Sequence, residues 1–284
     1  MKELKILAVV VALTLVTYWG VEPLAHSIMH PHVADADYNF SDLKDVKVDG
    51  DAKKGAELVA QNCIACHSLE KAGFPAPLDN ATASMSYGVV PPDLSTAGAL
   101  YDAKYLANFI ANPVEASKVS HKFVDGKTHP MPGYDWLGED AIADMVTFFK
   151  SIADENLEAR KAFEDACSRC HSMKYDKVTA LTDDNSIKGY MGKLPPDLSM
   201  YIKSRGEDYL HKFINDPQKL LEGTSMPRVG LTKEAEVKVV KYMESIGDAK
   251  KDEREALGKW VLIYMVILSV LAFLWKKKIW KEVS

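Results

Sequence analysis

The feature that most limits the folds open to this chain is an internal repeat with a spacing of 104 residues. A Cys-x-x-Cys-His motif begins at Cys63 and again at Cys167, and a Pro-Pro-Asp-Leu-Ser segment begins at Pro91 and again at Pro195. Self-similarity at a fixed distance is the signature of one structural unit used twice. The chain is therefore predicted to contain two tandem units of similar structure.

A Met-Pro pair extends the repeat and locates an insertion. The pair occurs at Met131 and again at Met226, 95 residues later, so the first copy holds nine extra residues before Met131. These residues fall in the polar stretch around His121, which we predict to be a loop. With 284 residues the chain is long enough for two small domains, which we place at residues 48–153 and 154–250.

Both copies are predicted to be helical, because apolar residues return at three- and four-residue intervals. Prolines two residues past the middle helix of each copy are expected to end that helix. No part of either copy predicts an extended sheet, so the predicted fold class is all-α. The predicted helices cover residues 55–62, 105–111 and 141–152 in the first copy and 157–166, 209–215 and 233–246 in the second.

The four cysteines of the chain all belong to the two Cys-x-x-Cys-His motifs, and this spacing is typical of covalent haem attachment. One helical turn presents both sulfurs to one porphyrin edge, where they add to the vinyl groups, and the adjacent imidazole to the iron. Two disulfides or a four-thiolate zinc site would also use four cysteines, but neither needs a histidine after each pair. The pattern therefore predicts two covalently bound haem c groups. Their attachment points are Cys63, Cys66, Cys167 and Cys170, and the first axial ligands of their irons are His67 and His171.

The second axial ligand of each iron is predicted to be a methionine thioether. Met131 and Met226 are the methionines that stand at matching repeat positions before a proline. His121 and His129 are rival ligands for the first iron, since both lie in the same stretch of chain. Methionines within the last helix of each copy are interpreted as packing residues. Methionine ligation would fill the remaining axial position of both irons, which favours electron transfer over catalysis.

The Pro-Pro-Asp-Leu-Ser segments and one arginine are further candidates for haem contact. Rigid proline backbone would suit the edge of a haem, and a plain turn before a helix is the alternative. Arg205 is predicted to donate hydrogen bonds to a haem propionate, with a solvated surface arginine as the alternative. Tyr101 stands at the matching position of the first copy, so the propionates of that haem would need other partners.

Apolar stretches lie at both ends of the chain. Residues 1–30 include an apolar run from Ile6 to Gly20, which we interpret as a retained membrane anchor, with a cleaved signal peptide as the alternative. The run lacks a small-x-small cleavage site and ends in aromatic residues suited to a membrane interface. Residues 257–276 are predicted to form a transmembrane helix, followed by a basic cytoplasmic tail to residue 284. Both termini would then lie in the cytoplasm and both haem domains on the opposite face.

Charge bears on the class of partner. The formal net charge is −5, and lysines are in excess beyond residue 256, so the middle of the chain is more acidic than the whole. This distribution argues against nucleic acid and suits docking to a basic protein. Mild acidity is also common among soluble domains.

Two stretches carry a resemblance to a known family. The sequence PPDLSMYIKSRGEDYLHKF, from Pro195 to Phe213, resembles the haem-edge segment of cytochrome c1, and the sequence from Trp260 to Val283 is similar to the anchor and basic tail of that subunit. Cytochrome c1 normally has one haem, so the added domain and N-terminal segment make the whole chain resemble the two-haem cytochrome c subunit of some bacterial cytochrome bc1 complexes. The residues that fall at the family's haem attachments and axial ligands are Cys167, Cys170, His171 and Met226.

The resemblance implies a relay subunit and not an enzyme that acts on its own. A Rieske iron–sulfur protein would reduce one haem after quinol oxidation at cytochrome b, and the other haem would pass the electron to a soluble cytochrome c or a terminal oxidase. By likeness to cytochrome c1, the second domain would face the Rieske protein. The resemblance also implies a bacterial cytoplasmic membrane, haem domains in the periplasm, and membership of a dimeric complex.

Two other functions are alternatives. The cbb3-type oxidases also have a subunit with two tandem cytochrome c domains, but that subunit is usually held by N-terminal membrane sequence, so the C-terminal span argues against it. A dihaem peroxidase would need an open axial position and acid–base residues beside one haem. A peroxidase is the less favoured of the two.

Overall fold

The computed structural model describes residues 2–29, 34–154 and 156–283 and is mostly helical. Within these ranges the structure has no β-strand, only isolated antiparallel bridges, and the predicted all-α fold class is confirmed. We call residues 34–154 the first half and residues 156–250 the second half. Apolar helices lie outside both halves, at the two ends of the chain.

The chain begins with an apolar helix that contains one irregular turn. Helix α1 (Lys2–Val16) and helix α2 (Glu22–Met29) are joined by a π-helical turn at Thr17–Val21, where the Glu22 N–H donates to the carbonyl five residues earlier. Pro23 accounts for this turn, because a proline inside a helix has no N–H and displaces the carbonyl four residues before it. The 28 residues together are long and apolar enough to cross a membrane. A signal sequence has the same properties, so both interpretations of residues 1–30 stand.

The first half is built around the crossing of two helices. Its helices are α3 (Ala52–Asn62), α4 (Asn80–Tyr87), α5 (Ala97–Leu100), α6 (Ala103–Ala111), α7 (Pro113–Ala116) and α8 (Glu139–Ile152). Asp51 begins α3 by accepting hydrogen bonds from the backbone N–H groups of Lys53 and Lys54. Helix α3 then crosses α8 so closely that a Cβ at Gly55 would lie 2.0 Å from the carbonyl oxygen of Asp144.

The second half repeats the first, element by element. Its helices are α9 (Ala159–Cys167), α10 (Asp184–Met191), α11 (Tyr201–Arg205), α12 (Glu207–Asn215), α13 (Pro217–Leu220) and α14 (Lys233–Gly247). Helices α10, α12 and α13 each begin 104 residues after their counterparts α4, α6 and α7. The repeat found in the sequence is therefore also a repeat of secondary structure.

Each predicted helix is present, with its ends shifted by three residues or fewer. The prolines do end the middle helices, but Pro113 and Pro217 also occupy the first turn of the short helices α7 and α13. Helices α4 and α10 were not predicted, because their apolar residues show little periodicity. An aspartate N-cap and a left-handed glycine C-cap mark both of them.

Two apolar cores fill the two halves and meet around Leu100 and Tyr101. One core contains α3, α6 and α8, and the other contains α9, α12 and α14. Met145 and Met243 are each 1% exposed and lie within these cores, as predicted for packing residues. Tyr101 packs against both cores, so the two halves form a continuous interior.

Backbone hydrogen bonds join the halves along residues 228–232. The Asp102 N–H donates to the Gly230 carbonyl and the Thr232 N–H donates to the Leu100 carbonyl, both at 2.9 Å. Farther along the interface the Asp37 N–H donates to Asn215 Oδ1 at 2.9 Å. The segment before α3 therefore ties the second half to the first.

The chain ends in helix α15 (Lys251–Val283), which is longer at both ends than the predicted 257–276 span. It continues through the lysine cluster because no glycine or proline interrupts it there and lysine is a good helix former. Its apolar side chains are exposed, and it is long enough to cross a membrane. Lys276 Nζ lies 3.2 Å from Glu3 Oε1, so the outer ends of the two terminal helices meet.

Candidate functional site

Each Cys-x-x-Cys-His motif forms a tight turn at the end of a helix. In the first half the N–H groups of Cys66 and His67 donate to the Cys63 carbonyl at 3.1 and 3.0 Å. The corresponding residues of the second half make the same turn at 3.1 and 2.9 Å. The four cysteines are free, and one pair lies in each half, which argues against a site that uses all four thiolates.

The two histidine rings are oriented by proline carbonyl groups. His67 Nδ1 lies 2.9 Å from the Pro92 oxygen, and His171 Nδ1 lies 2.8 Å from the Pro196 oxygen. Because a carbonyl can only accept, Nδ1 must carry the proton, which leaves the lone pair of Nε2 free to bind a metal. Sequence reasoning did not find this function of the Pro-Pro-Asp segments.

The aspartate of each Pro-Pro-Asp segment clamps the loop that follows the histidine. Asp93 accepts hydrogen bonds from the backbone N–H groups of Glu70 and Ser95, at 3.0 and 2.8 Å. Asp197 accepts from the backbone of Lys174 and Ser199, at 3.0 and 3.1 Å, which are the equivalent positions. The plain-turn interpretation of these segments is therefore incomplete, since each one also fixes the chain beside a histidine.

Burial keeps the candidate ligands uncharged. It lowers the pKa of His67 and of His171, so both rings are neutral, as a metal-binding imidazole must be. It also raises the pKa of Cys63 to about 11 and that of Cys167 to about 12. Neutral thiols suit thioether formation better than a site that needs several thiolates.

The loop that carries Met131 is fastened to the first half. Tyr134, three residues later, donates from its hydroxyl to the carbonyl of Asn62 at 3.0 Å, and from its N–H to the carbonyl of Ile110 at 2.9 Å. Asn62 immediately precedes Cys63, and the core of the first half includes Cys63 and Tyr134. The structure thus brings the Met131 loop and the first cysteine motif together.

The loop that carries Met226 is fastened to the opposite half. The Arg228 N–H donates to the Ser117 carbonyl at 2.9 Å, and the Tyr105 hydroxyl donates to the Arg228 carbonyl at 2.7 Å. Val229 nevertheless packs on the same core as Cys167. The loop therefore lies between the second cysteine motif and the surface of the first half.

The two rival histidines have different surroundings. His121 Nε2 lies 3.1 Å from the carbonyl oxygen of Thr224, in the second half, which argues against it as a ligand. His129 lies edge-on to the rings of Phe123 and Tyr190, and its Nδ1 lies 3.0 Å from the Met131 carbonyl oxygen, an arrangement like that of His67. Met131 stays the predicted ligand of the first iron, with His129 as the alternative.

Arg205 and its counterpart Tyr101 occupy different environments. The guanidinium of Arg205 is exposed and lies over the ring of Tyr209, 5.3 Å from the ring centroid. Tyr101 lies at the boundary between the two cores. The assignment of Arg205 to a propionate stays a prediction.

The donor set of each half fits a haem. Each half offers two thiols on one turn, an imidazole with Nε2 free, and a methionine loop beside the same core. In addition, Arg169 Nε is buried and has no hydrogen-bond partner among the described residues. A buried donor of this kind is costly unless an acceptor joins it, as a haem carboxylate would.

Comparison with known proteins identifies part of the chain. Residues 52–153 match the protein family described as Cytochrome c. The chain is 24% identical to the "Cytochrome c1" of Allochromatium vinosum, over 43% of this chain and 82% of that protein. A solved structure titled "Hyperthermophilic respiratory Complex III" covers 96% of this chain and 99% of that chain at 20% identity, with a TM-score of 0.29, which is too low to indicate a shared fold.

The first half therefore contains a cytochrome c domain, which implies a covalently bound haem c. The similarity to a cytochrome c1 is weak, and with the apolar helices at both ends it fits an electron-transfer protein anchored in a membrane.

Proposed function

We propose that this chain is an electron-transfer subunit that carries two haem c groups in a membrane-bound quinol:cytochrome c oxidoreductase of the cytochrome bc1 type. One observation carries the proposal: the histidine–proline hydrogen bond recurs in the two halves at 2.9 and 2.8 Å, with the same aspartate clamp behind it. Two sites that are built alike imply the same ligand. The tandem domains would cover residues 48–153 and 154–250.

Each group of residues has a separate task at such a site. A bound haem supplies reversible one-electron chemistry at its iron. Cys63 and Cys66 would hold the porphyrin edge, and His67 is kept in one orientation by the Pro92 carbonyl. Met131 would fill the remaining axial position, which excludes oxygen and peroxide from the iron. The second site would use Cys167, Cys170, His171 and Met226 in the same way.

The terminal helices support a membrane anchor with both ends on one side. The Glu3–Lys276 ion pair joins the outer ends of the two helices, as expected for antiparallel neighbours. Cationic residues remain on the cytoplasmic face of a membrane, and the lysine cluster at residues 276–278 is such a group. The haem domains would then lie in the periplasm of a bacterium.

The partners follow from the likeness to cytochrome c1. A Rieske iron–sulfur protein would deliver the electron, cytochrome b would share the membrane, and a soluble cytochrome c or a terminal oxidase would accept it. The complex would be dimeric, and the chain would not act as an enzyme on its own.

The test is a haem count combined with identification of the bound subunits. We would purify the full chain from its native membrane in mild detergent, denature it, and measure its mass and haem stain. We expect a mass increase of two haem groups. Paired variants supply the control: C63A/C66A and C167A/C170A should each retain one haem.

The proteins that co-purify with the chain identify the complex to which it belongs. Cytochrome b and a Rieske protein would support the proposal, whereas copper–haem oxidase subunits would replace it with the cbb3-type alternative. Peroxide-dependent oxidation of a donor, with one high-spin haem, would replace it with a peroxidase. A denatured chain with one haem or none would disprove the dihaem assignment.

A further inference from the structure

The two halves differ at the position where a propionate partner was predicted. Arg205 lies 104 residues after Tyr101, so the first half has a phenol where the second has a guanidinium. Tyr101 is enclosed by both cores, and burial raises its pKa, which keeps it neutral. The first half therefore has no cation of its own at this position.

A cation from the second half is close to that position. Arg169 lies between Cys167 and Cys170, in the turn of the second cysteine motif. Its charge opposes the rise in the pKa of Tyr101 that burial causes. Its Nε atom is buried without a hydrogen-bond partner among the described residues.

Backbone contacts fix the Arg169 turn against the first half. The Thr182 N–H donates to the Arg169 carbonyl at 3.1 Å, and the Thr182 hydroxyl accepts from the Val90 N–H at 3.0 Å. Val90 immediately precedes the Pro-Pro-Asp segment that orients His67. Arg169 also lines a cleft of about 360 Å³ between the halves, opposite Pro91 and Pro92.

Arg169 therefore lies beside the chain that orients His67. It lines one cleft together with Pro91 and Pro92, and the carbonyl of Pro92 holds the His67 ring, although Arg169 itself belongs to the second cysteine motif.

We propose that Arg169 binds a propionate of the haem attached to Cys63 and Cys66, and so replaces in trans the arginine that the first half lacks. Guanidinium pairs with carboxylate in a bidentate geometry, and such a partner would satisfy the buried Nε. The inference rests on the proposed function, because it needs a haem in the first half. It places one positive charge beside the first haem within the turn that holds the second.

The experiment compares three variants of the full chain in its membrane complex. R169Q removes the charge and keeps a hydrogen-bond donor, R169K keeps the charge, and R160Q removes an arginine that lines the same cleft but pairs with Glu164 and Asp176 at the surface. The two haem signals are assigned with the C63A/C66A and C167A/C170A variants. The reduction midpoint of each haem is then measured by potentiometric titration.

A nearby positive charge favours the reduced iron, so its loss should lower the midpoint of the first haem. For R169Q we expect an electron shared between the haems to favour the second haem about tenfold more than in wild type. For a one-electron couple this equals a fall of about 59 mV in the midpoint of the first haem relative to that of the second. R169K keeps the charge, so its first midpoint should stay close to the wild-type value. R160Q should leave both midpoints unchanged.

Other results would overturn the inference. One is that R169Q carries both haems and the midpoint of its first haem is unchanged. The others are that R169Q lowers both midpoints equally, or that R160Q lowers the first midpoint as much as R169Q does. If the wild-type chain lacks a haem on Cys63 and Cys66, the proposed function itself fails, and the mass measurement shows this separately.

Discussion

The two methionine loops stand at matching positions of the repeat, yet the chain after each methionine is bonded to a different half. The chain after Met131 is held by its own half, through Tyr134 and the carbonyl of Asn62. The chain after Met226 is held by the other half, through the carbonyl of Ser117 and the hydroxyl of Tyr105. Repetition of the elements has therefore not produced two independent units.

The difference shows which half depends on the other. In the first site, the cysteine motif and Tyr134, which follows Met131, pack against one core within residues 34–154. The second site has its cysteine motif in its own core. Ser225, before Met226, is bonded to Met191 of the same half, but Arg228, after Met226, is bonded to the first half. We expect damage at the interface to affect the second haem more than the first.

The most severe test of this dependence is G230A. Gly230 has φ +75°, and a Cβ there would lie 2.0 to 2.2 Å from three ring atoms of Tyr105. Left-handed backbone costs a non-glycine residue about 1–2 kcal/mol, and the clash in a packed interface adds about 1–3 kcal/mol or more. We expect a loss of about 2–5 kcal/mol in the free energy of unfolding, measured by denaturant titration in detergent.

Gly223 provides the matched control for this variant. It also has φ +75°, but a Cβ there would meet open space, so G223A should cost only the backbone term, about 1–2 kcal/mol. The sulfur-to-iron charge-transfer band of the second haem should disappear in G230A alone. Equal losses in both variants would show that the contact with Tyr105 does not support the second site.

The sequence predicted the parts of the site that depend on local spacing. The cysteine turns follow from a fixed motif, and the last helix of each half from its apolar periodicity. The anchors of the Met226 loop were missed because Tyr105 and Arg228 lie 123 residues apart, and no local pattern encodes such a contact. The position of Arg169 beside the first half was missed for the same reason, since the Cys-x-x-Cys motif does not show which distant segment its inner residues contact.

The contacts of the segment before α3 were also missed by the sequence analysis. Residues 34–48 have no helical periodicity and were assigned to no element. In the structure the Tyr38 hydroxyl donates to Glu236 at 2.6 Å, across 198 residues of chain. The aspartates of this segment are ordinary surface residues in the sequence, and only their positions in the fold give them partners.

A pair of tyrosine variants tests, with a smaller perturbation, whether the chain after Met226 depends on the first half. Y105F removes the donor to a buried carbonyl in the second half, whereas Y134F removes a donor within the first half. Loss of a buried partner costs about 1–3 kcal/mol and loss of a partly exposed one about 1 kcal/mol. Unfolding free energies from denaturant titration check these magnitudes.

The spectra of the two variants should cross over. Y105F changes a residue of the first half but should weaken the charge-transfer band of the second haem. Y134F should weaken the band of the first haem. If each variant affected the haem of its own half, the Met226 loop would not depend on the Tyr105 hydroxyl.

The smallest expected effect is on the free energy of unfolding at acid pH, and it arises where Arg228 meets the first half. Arg228 Nη2 lies 2.9 Å from Asp42 and 3.1 Å from Asp216, so the chain two residues beyond Met226 is tied to the segment before α3. Burial acts to raise the pKa of Asp42, but hydrogen bonds from Arg228 and Lys118 lower it from 3.8 to about 2. Because the pKa is lower in the folded chain, the stabilisation is complete above about pH 4 and is lost as the pH falls toward 2.

The variant D42N removes this titration. Since the Asp42 side chain is 39% exposed and solvent screens the pair, we expect wild type to exceed D42N in unfolding free energy by about 1 kcal/mol at pH 6, and the difference to vanish below pH 2. Asp45 pairs with Lys104 at a 98% exposed side chain, so D45N should show a smaller difference at every pH. A D42N difference that kept its full size below pH 2 would mean that Asp42 stabilises the contact between the halves through packing and not through its charge.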